Sequence, residues 1–316
     1  MRAVILLTLT LAGPALGCTL SNPWLASAWP ATDFSQCSVD LTEVISGGPP
    51  RDGIPSIDDP QFVAVELSTL EPDAPVISLN VKGVARAYPL SVLIWHEIVN
   101  DELAGQPLAI TYCPLCNAGL VFDRRVGDAV LEFGTTGLLR RSDMVMYDRQ
   151  TDSWWQQYTG QAIAGVHNGA SLSLVSSRLE PWGEFALRHP EGEVLVPNDP
   201  NARRYGANPY VGYDQSTQPF LYRGPLPEGV NPMERVAVSG DTAVSWPELL
   251  RKGSVQRDGL LFQWSSGMRS ALDTADIEDG RDVGSVSVTR AGVAVPYHVT
   301  FAFVWHAFNG APTPTD

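Results

Sequence analysis

Leu108-Ala-Ile-Thr-Tyr-Cys-Pro-Leu-Cys-Asn-Ala-Gly-Leu-Val-Phe-Asp123 reads as strand, tight turn, strand. Leu108 to Tyr112 is short, apolar and β-branched, and Leu120 to Phe122 is a second such run. Between them Cys113-Pro-Leu-Cys116 leads into Asn117 and Gly119, residue types that turn a chain back on itself. Two sulfurs on one stiff hairpin form either a redox pair or half of a metal site, and the stretch itself leaves both open.

Upstream, Val76 to Val81 alternates in polarity, Lys82-Gly83 turns, and Val84 to Tyr88 alternates back, which predicts another hairpin. Pro89 is suited to opening a helix, expected over Leu90 to Val99 with His96 near its end. Downstream, Ala129 to Phe133 reads as a strand and Gly134-Thr-Thr-Gly137 as a turn. Asp143 to Tyr147 and Ser153 to Gln157 read as strands flanking the tight turn Asp148 to Asp152. Alternation places Trp154 and Trp155 on opposite faces, one in the core and one at a cleft. Ala162 to Val166 and Ser171 to Val175 are further strands, and Trp182 to His189 is a short helix.

After Pro232 the pattern returns. Arg235 to Gly240 parallels the strand ending at Gly83, and Ala243 to Pro247 parallels Ala85 to Pro89 with one inserted residue. A shorter helix follows at Glu248 to Lys252. Leu260 to Trp264 parallels Leu108 to Tyr112, and Ser270-Ala-Leu-Asp273 parallels Leu120 to Asp123, but the intervening loop holds no cysteine. The pattern predicts an internal duplication in which only the first copy keeps the thiols. The last strands are expected at Val283 to Thr289 and Tyr297 to Phe308. The fold class is therefore mainly β (α+β), with two similar β-rich halves and a few short helices. The expected divisions are a signal peptide at 1–17, an extended arm at 18–74, a first half at 75–197, a Tyr-rich connecting loop at 198–232 and a second half at 233–316.

A chain of 316 residues with 44% hydrophobic residues can fill a substantial core, and 28 glycines with 25 prolines suit many turns. A net charge of −14 argues against nucleic-acid partners and against electrostatic docking on anionic lipid. Arg2, the apolar run Ala3 to Ala12 and the small residues of Ala15-Leu-Gly17 read as an export signal cut before Cys18. No later run is apolar and long enough to span a bilayer. The mature protein is expected outside the cytoplasm, periplasmic, cell-surface or secreted. Cys18 has two readings, a lipid anchor at the new N-terminus or a disulfide to Cys37 worth about 3 kcal/mol in loop entropy.

Seven motifs carry a resemblance. They are His96-Glu-Ile-Val-Asn-Asp101, Thr111-Tyr-Cys-Pro-Leu115, Phe133-Gly-x-x-Gly-Leu138, Ser142-Asp143, Tyr147-Asp-Arg-Gln-Thr151, Trp155-x-Gln157 and Tyr205-Gly-x-Asn-Pro-Tyr-x-x-Tyr213. Together, from about Pro75 to Phe308, they resemble the bacterial family catalogued as domain of unknown function 3179. The resemblance implies an exported or lipoprotein-like protein and carries no assigned reaction. It implies that Cys113 is the family's usual residue and Cys116 a departure, which shifts weight to Cys113 with His96.

The site reading follows from what could complete the thiols. With four cysteines in all and no second CxxC, the further ligands must come from His96, His167, His189, His298 or His306. One or two cysteines with one or two histidines suit copper or zinc. The expected ligands are Cys113 and His96, with Cys116 and His306 as further candidates and copper favoured over zinc, for metal handling or redox chemistry. Glu97, Asp101, Asp143, Arg141, Gln157 and Tyr210 are candidates for supporting or substrate contacts. Two other readings stay open: an envelope binding or scaffold protein with a Cys113–Cys116 disulfide, and a thiol–disulfide oxidoreductase. No GxSxG, P-loop, HExxH, EF-hand loop or GxGxxG after a strand is present, so no nucleotide cofactor is expected.

Overall fold

The computed structural model describes residues 18–310; the expected signal peptide and residues 311–316 lie outside the described residues. The chain is mostly strand with a few short helices. Strand Pro75–Val81 pairs with Val84–Pro89 around Lys82 and Gly83, both at positive φ, as two-residue hairpin turns require. Helix Leu90–His96 starts directly after Pro89 and stops where Glu97 turns left-handed, φ 59°. Strands Ile98–Leu103, Gln106–Cys113 and Ala118–Asp123 then run antiparallel, with Ala104-Gly105 as a second positive-φ turn. The helix is three residues shorter than expected, because residues 98–100 alternate into the sheet.

The same order returns. Arg235–Ser239 pairs with Thr242–Ser245, helix Trp246–Lys252 follows, Gly253 takes φ 71°, and Ser254–Arg257, Leu260–Ser265 and Ser285–Arg290 run antiparallel. Each run also receives a late strand that leads straight into a helix. Arg178–Pro181 pairs with Pro75–Val81 and enters helix Trp182–Arg188; His298–Phe301 pairs with Arg235–Ser239 and enters helix Ala302–Asn309. Two expectations fail here. Ser270 to Asp273 is irregular, and the strand that pairs with Leu260–Ser265 is Ser285–Arg290. Residues 302–309, expected as strand, form a helix that buries Ala302, Phe303, Val304 and Trp305 and stops at Gly310, φ 59°.

A five-stranded antiparallel sheet joins Val44–Ser46, Phe133–Arg140, Asp143–Asp148, Trp154–Gln156 and Gln161–Ala164. Residues 134–137, expected as a turn, belong to its second strand as a bulge between Thr135 and Leu138. Trp154 and Trp155 are both fully buried, because the sheet is covered on each face. The arm contributes Val44–Ser46 to this sheet and Gln61–Ala64 to the sheet of Glu193–Val196, and its start is tied by a Cys18–Cys37 disulfide. A sulfur joined to Cys37 cannot also carry a thioether-linked lipid, so the anchor expected at Cys18 is excluded wherever this bridge forms. One apolar core takes in residues from Ile57 to Val304 and crosses both runs. Among the described residues no helix is long and apolar enough to cross a membrane.

Candidate metal centre

The hairpin Gln106–Cys113 to Ala118–Asp123 closes with the pair Cys113 and Ala118. The connection is held by N–H groups of Cys116 and Asn117 donating to the carbonyls of Cys113 and Pro114, each at 3.2 Å, and Asn117 takes φ 50°. This knuckle faces another tight turn. Arg141 and Ser142, at φ 55° and 66°, join Phe133–Arg140 to Asp143–Asp148. The Ser142 carbonyl oxygen lies 3.5 Å from Cys116 Sγ and 4.0 Å from Cys113 Sγ. Neighbours lock that turn: Ser142 Oγ donates to the Phe220 carbonyl at 2.7 Å, and Arg141 binds Glu43 and the Ala307 carbonyl.

Asp143 follows at once and is fully buried. Its Oδ1 accepts from Gln156 Nε2 at 2.5 Å and from the Tyr158 N–H at 2.9 Å, while Oδ2 has no hydrogen-bond partner. Both cysteines are free thiols. A carboxylate oxygen of Asp143 and the two sulfurs all lie within 4.8 Å of one another. Burial pushes both thiols up from their ordinary values, and it pushes Asp143 up to about 6 despite the bonds from Tyr158, Gln156 and the thiols. Glu97 is driven up to about 8 by burial and by the Asp143 charge. The pocket thus disfavours negative charge, and a bound cation would reverse that preference.

His96 lies elsewhere than expected. Its Nδ1 is 2.7 Å from the Pro55 carbonyl, its Nε2 is 2.8 Å from Tyr205 Oη, and its ring stacks on Tyr205. The ring emerges from the last turn of its helix toward the arm and the Tyr-rich loop, away from the knuckle, and both nitrogens are engaged. It stands outside the thiol cluster, as does His306, which lies on the final helix and lines a surface cleft of about 780 Å³ with Arg141 and Tyr222. Asp143, expected as a supporting carboxylate, is the group that joins the sulfurs.

The remaining candidates divide by role. Asp101 holds Arg86 and accepts from Tyr88 Oη at 2.5 Å, a structural cluster. Gln157 Nε2 donates to Thr111 Oγ1 and the Ala118 carbonyl and so clamps the thiol hairpin. Tyr210 is half-buried, and burial together with the Glu97 charge raises its phenol. Tyr213 Oη donates to the Leu115 carbonyl inside the knuckle, a contact that the loop's tyrosine density hinted at without assigning. Ser142 and Tyr158, which set the position of Asp143, were not singled out beforehand; the Ser142-Asp143 pair within the seven motifs was the available signal.

A family model for a protein of unknown function, DUF3179, matches residues 51–312. The chain belongs to the DUF3179 family. The match includes Glu97, Cys113, Cys116 and Asp143 and stops short of the Cys18–Cys37 disulfide. No curated protein and no solved structure matches this DUF3179 chain.

Proposed function

We propose that this is an exported protein that binds one transition-metal ion between Cys113, Cys116 and Asp143 for metal handling, the redox reading being tied to copper. The observation that carries the reading is the convergence of two thiols and a carboxylate within 4.8 Å in a fully buried pocket, with one oxygen of that carboxylate reached by no N–H or O–H donor. Buried polar atoms are rarely left without a partner, and an ion would supply one. The donor set favours one metal over the other. Two sulfurs alone suit copper(I), but a carboxylate in place of the expected imidazole moves the preference to zinc. Export is supported by the leader-like N-terminal sequence and by the Cys18–Cys37 disulfide, which fits an oxidising compartment.

The second reading is an envelope scaffold protein with a Cys113–Cys116 disulfide. The oxidised state of the other cysteine pair in the same chain favours it. Thiol–disulfide exchange with protein substrates is weakened by burial, since Cys113 is 2% exposed and Cys116 not at all. Metal analysis of the mature exported protein separates these readings. Near-stoichiometric zinc that is lost in Cys113→Ser and weakened in Asp143→Asn supports the metal centre. An intact Cys113–Cys116 bridge with no bound metal overturns it.

A further inference from the structure

The two runs of elements place different residues at one backbone position. In each run the helix after the first hairpin is followed by a single positive-φ residue and then by a strand: Gly253 at φ 71° in the second run, Glu97 at φ 59° in the first. Glycine takes this conformation at no steric cost, and a residue with a Cβ is strained there. The helix stop therefore needs only the backbone, and glycine meets that need after Lys252. The first run carries a long carboxylate side chain instead.

The backbone that carries that side chain adjoins the thiol-bearing strand. The Glu97 carbonyl accepts the Tyr112 N–H at 2.8 Å, one residue before Cys113, and Ile98 pairs with Thr111 on the same strand. Glu97 is 9% exposed, and among the described residues its carboxylate has no hydrogen-bond or ion-pair partner. Its charge acts on both Cys113 and Asp143. A residue nine-tenths buried whose carboxylate no protein group holds, on a strained backbone where glycine would serve, is not explained by packing of the fold alone.

We propose that Glu97 supplies the fourth donor of the Cys113–Cys116–Asp143 centre, an inference that rests on the metal reading above. Three protein donors leave a tetrahedral ion one short. As the site stands, Glu97 lies outside the 4.8 Å group, so joining the ion requires its side chain to change rotamer. Two thiolates and two carboxylates around a dication carry the same net charge as the four-thiolate zinc sites. A closed set of four protein donors marks an ion that is kept, not one that holds a substrate in an open position.

The test uses the mature chain, with zinc affinity measured by chelator competition and the site's geometry read by cobalt(II) absorption. Glu97→Gly copies Gly253 and Glu97→Gln keeps the side chain's shape. Both should lose about tenfold or more in zinc affinity. Both should alter the cobalt d–d bands while keeping sulfur-to-cobalt charge transfer, and metal-free Glu97→Gly should melt no lower than wild type. Wild-type affinity and cobalt spectra in both variants, with binding still abolished by Cys113→Ser, overturn the role of Glu97 alone. A wild-type chain that takes up neither metal overturns the centre and the fourth donor together.

Discussion

The main-chain carbonyl of Cys116 accepts a hydrogen bond from Thr300 Oγ1 at 2.9 Å, across 184 residues of sequence. The neighbouring Phe301 N–H reaches the same oxygen at 3.1 Å. The strand His298–Phe301 of the second run thus grips the thiol-bearing turn of the first. The knuckle, bonded also by Tyr213 and Gln157, is held from behind by this strand, while the Ser142 turn faces its sulfurs. The second run carries no thiols, yet it fixes where those of the first run stand.

Removing the Thr300 hydroxyl tests that grip. Thr300 is fully buried, and Thr300→Val keeps the shape while leaving the Cys116 carbonyl with one donor in place of two. The loss should be about 1 kcal/mol of global stability by denaturant unfolding. Metal affinity should fall as well, because the knuckle loosens. An unchanged unfolding midpoint with unchanged affinity would mean that the Phe301 N–H suffices.

The buried acids set a pH dependence of stability in the metal-free protein. Glu97 stands at about 8 and Asp143 at about 6 in the folded chain, both above their ordinary values of 4.5 and 3.8. Groups raised in this way contribute stability that is fully present below the ordinary values and is lost as pH rises through the folded ones. Stability should therefore decline between about pH 4 and about pH 8, and Glu97→Gln should flatten the upper part of that decline. Denaturant midpoints of the two proteins across this range provide the measurement; parallel curves would show that Glu97 does not titrate there.

Much of the fold was legible because its signals are local. Period-two alternation with Lys82-Gly83 and Ala104-Gly105 between strands marked the hairpins, and Pro89 marked the start of a helix. The errors came from places where tertiary packing chose between local options. Residues 302–309 are aromatic and β-prone, but Gly310 was the readable stop of a helix that buries them. The thiol hairpin was found from its sequence, whereas its partner was not. His96 was chosen as the nearest imidazole in the chain, but where a helical side chain points depends on helical phase and on where the helix ends. Asp143 arrives from a separate sheet, and among 35 acidic residues only its place in the Ser142-Asp143 motif set it apart, as a supporting group and not as a ligand.

His298 should act on stability in the opposite sense to the acids. Burial pushes it down to about 4 from 6.5, and its Nε2 lies 3.2 Å from Tyr158 Oη with the rings edge to face. A histidine held neutral in this way contributes stability that is present above 6.5 and is lost as pH falls toward 4. His298→Gln should remove that acid-side loss. The difference between variant and wild-type midpoints isolates the effect, and a difference that stays constant from neutral pH down to about pH 4 would assign the acid sensitivity to other groups.

The Cys18–Cys37 bridge makes a prediction about the arm alone. It closes a loop with a sequence separation of 19, and the chain-entropy estimate for such a loop is about 3 kcal/mol. Residues 18–51 are otherwise attached by short contacts: hydrogen bonds from Thr32 Oγ1 to the Asp152 carbonyl and from the Ser38 N–H to the Ile163 carbonyl, the short strand Val44–Ser46 on Phe133–Arg140, and the Arg51 guanidinium paired with Asp152 and resting on Trp29 and Tyr147. In Cys18→Ser with Cys37→Ser, amide exchange should rise first in residues 20–46, while the thiol hairpin keeps its protection, because the core from Ile57 onward does not depend on the bridge. Intact mass of the exported wild-type protein checks the premise: two hydrogens fewer than the fully reduced chain, restored by reductant, fits one disulfide, whereas a lipid-sized increment would place Cys18 at a membrane anchor instead.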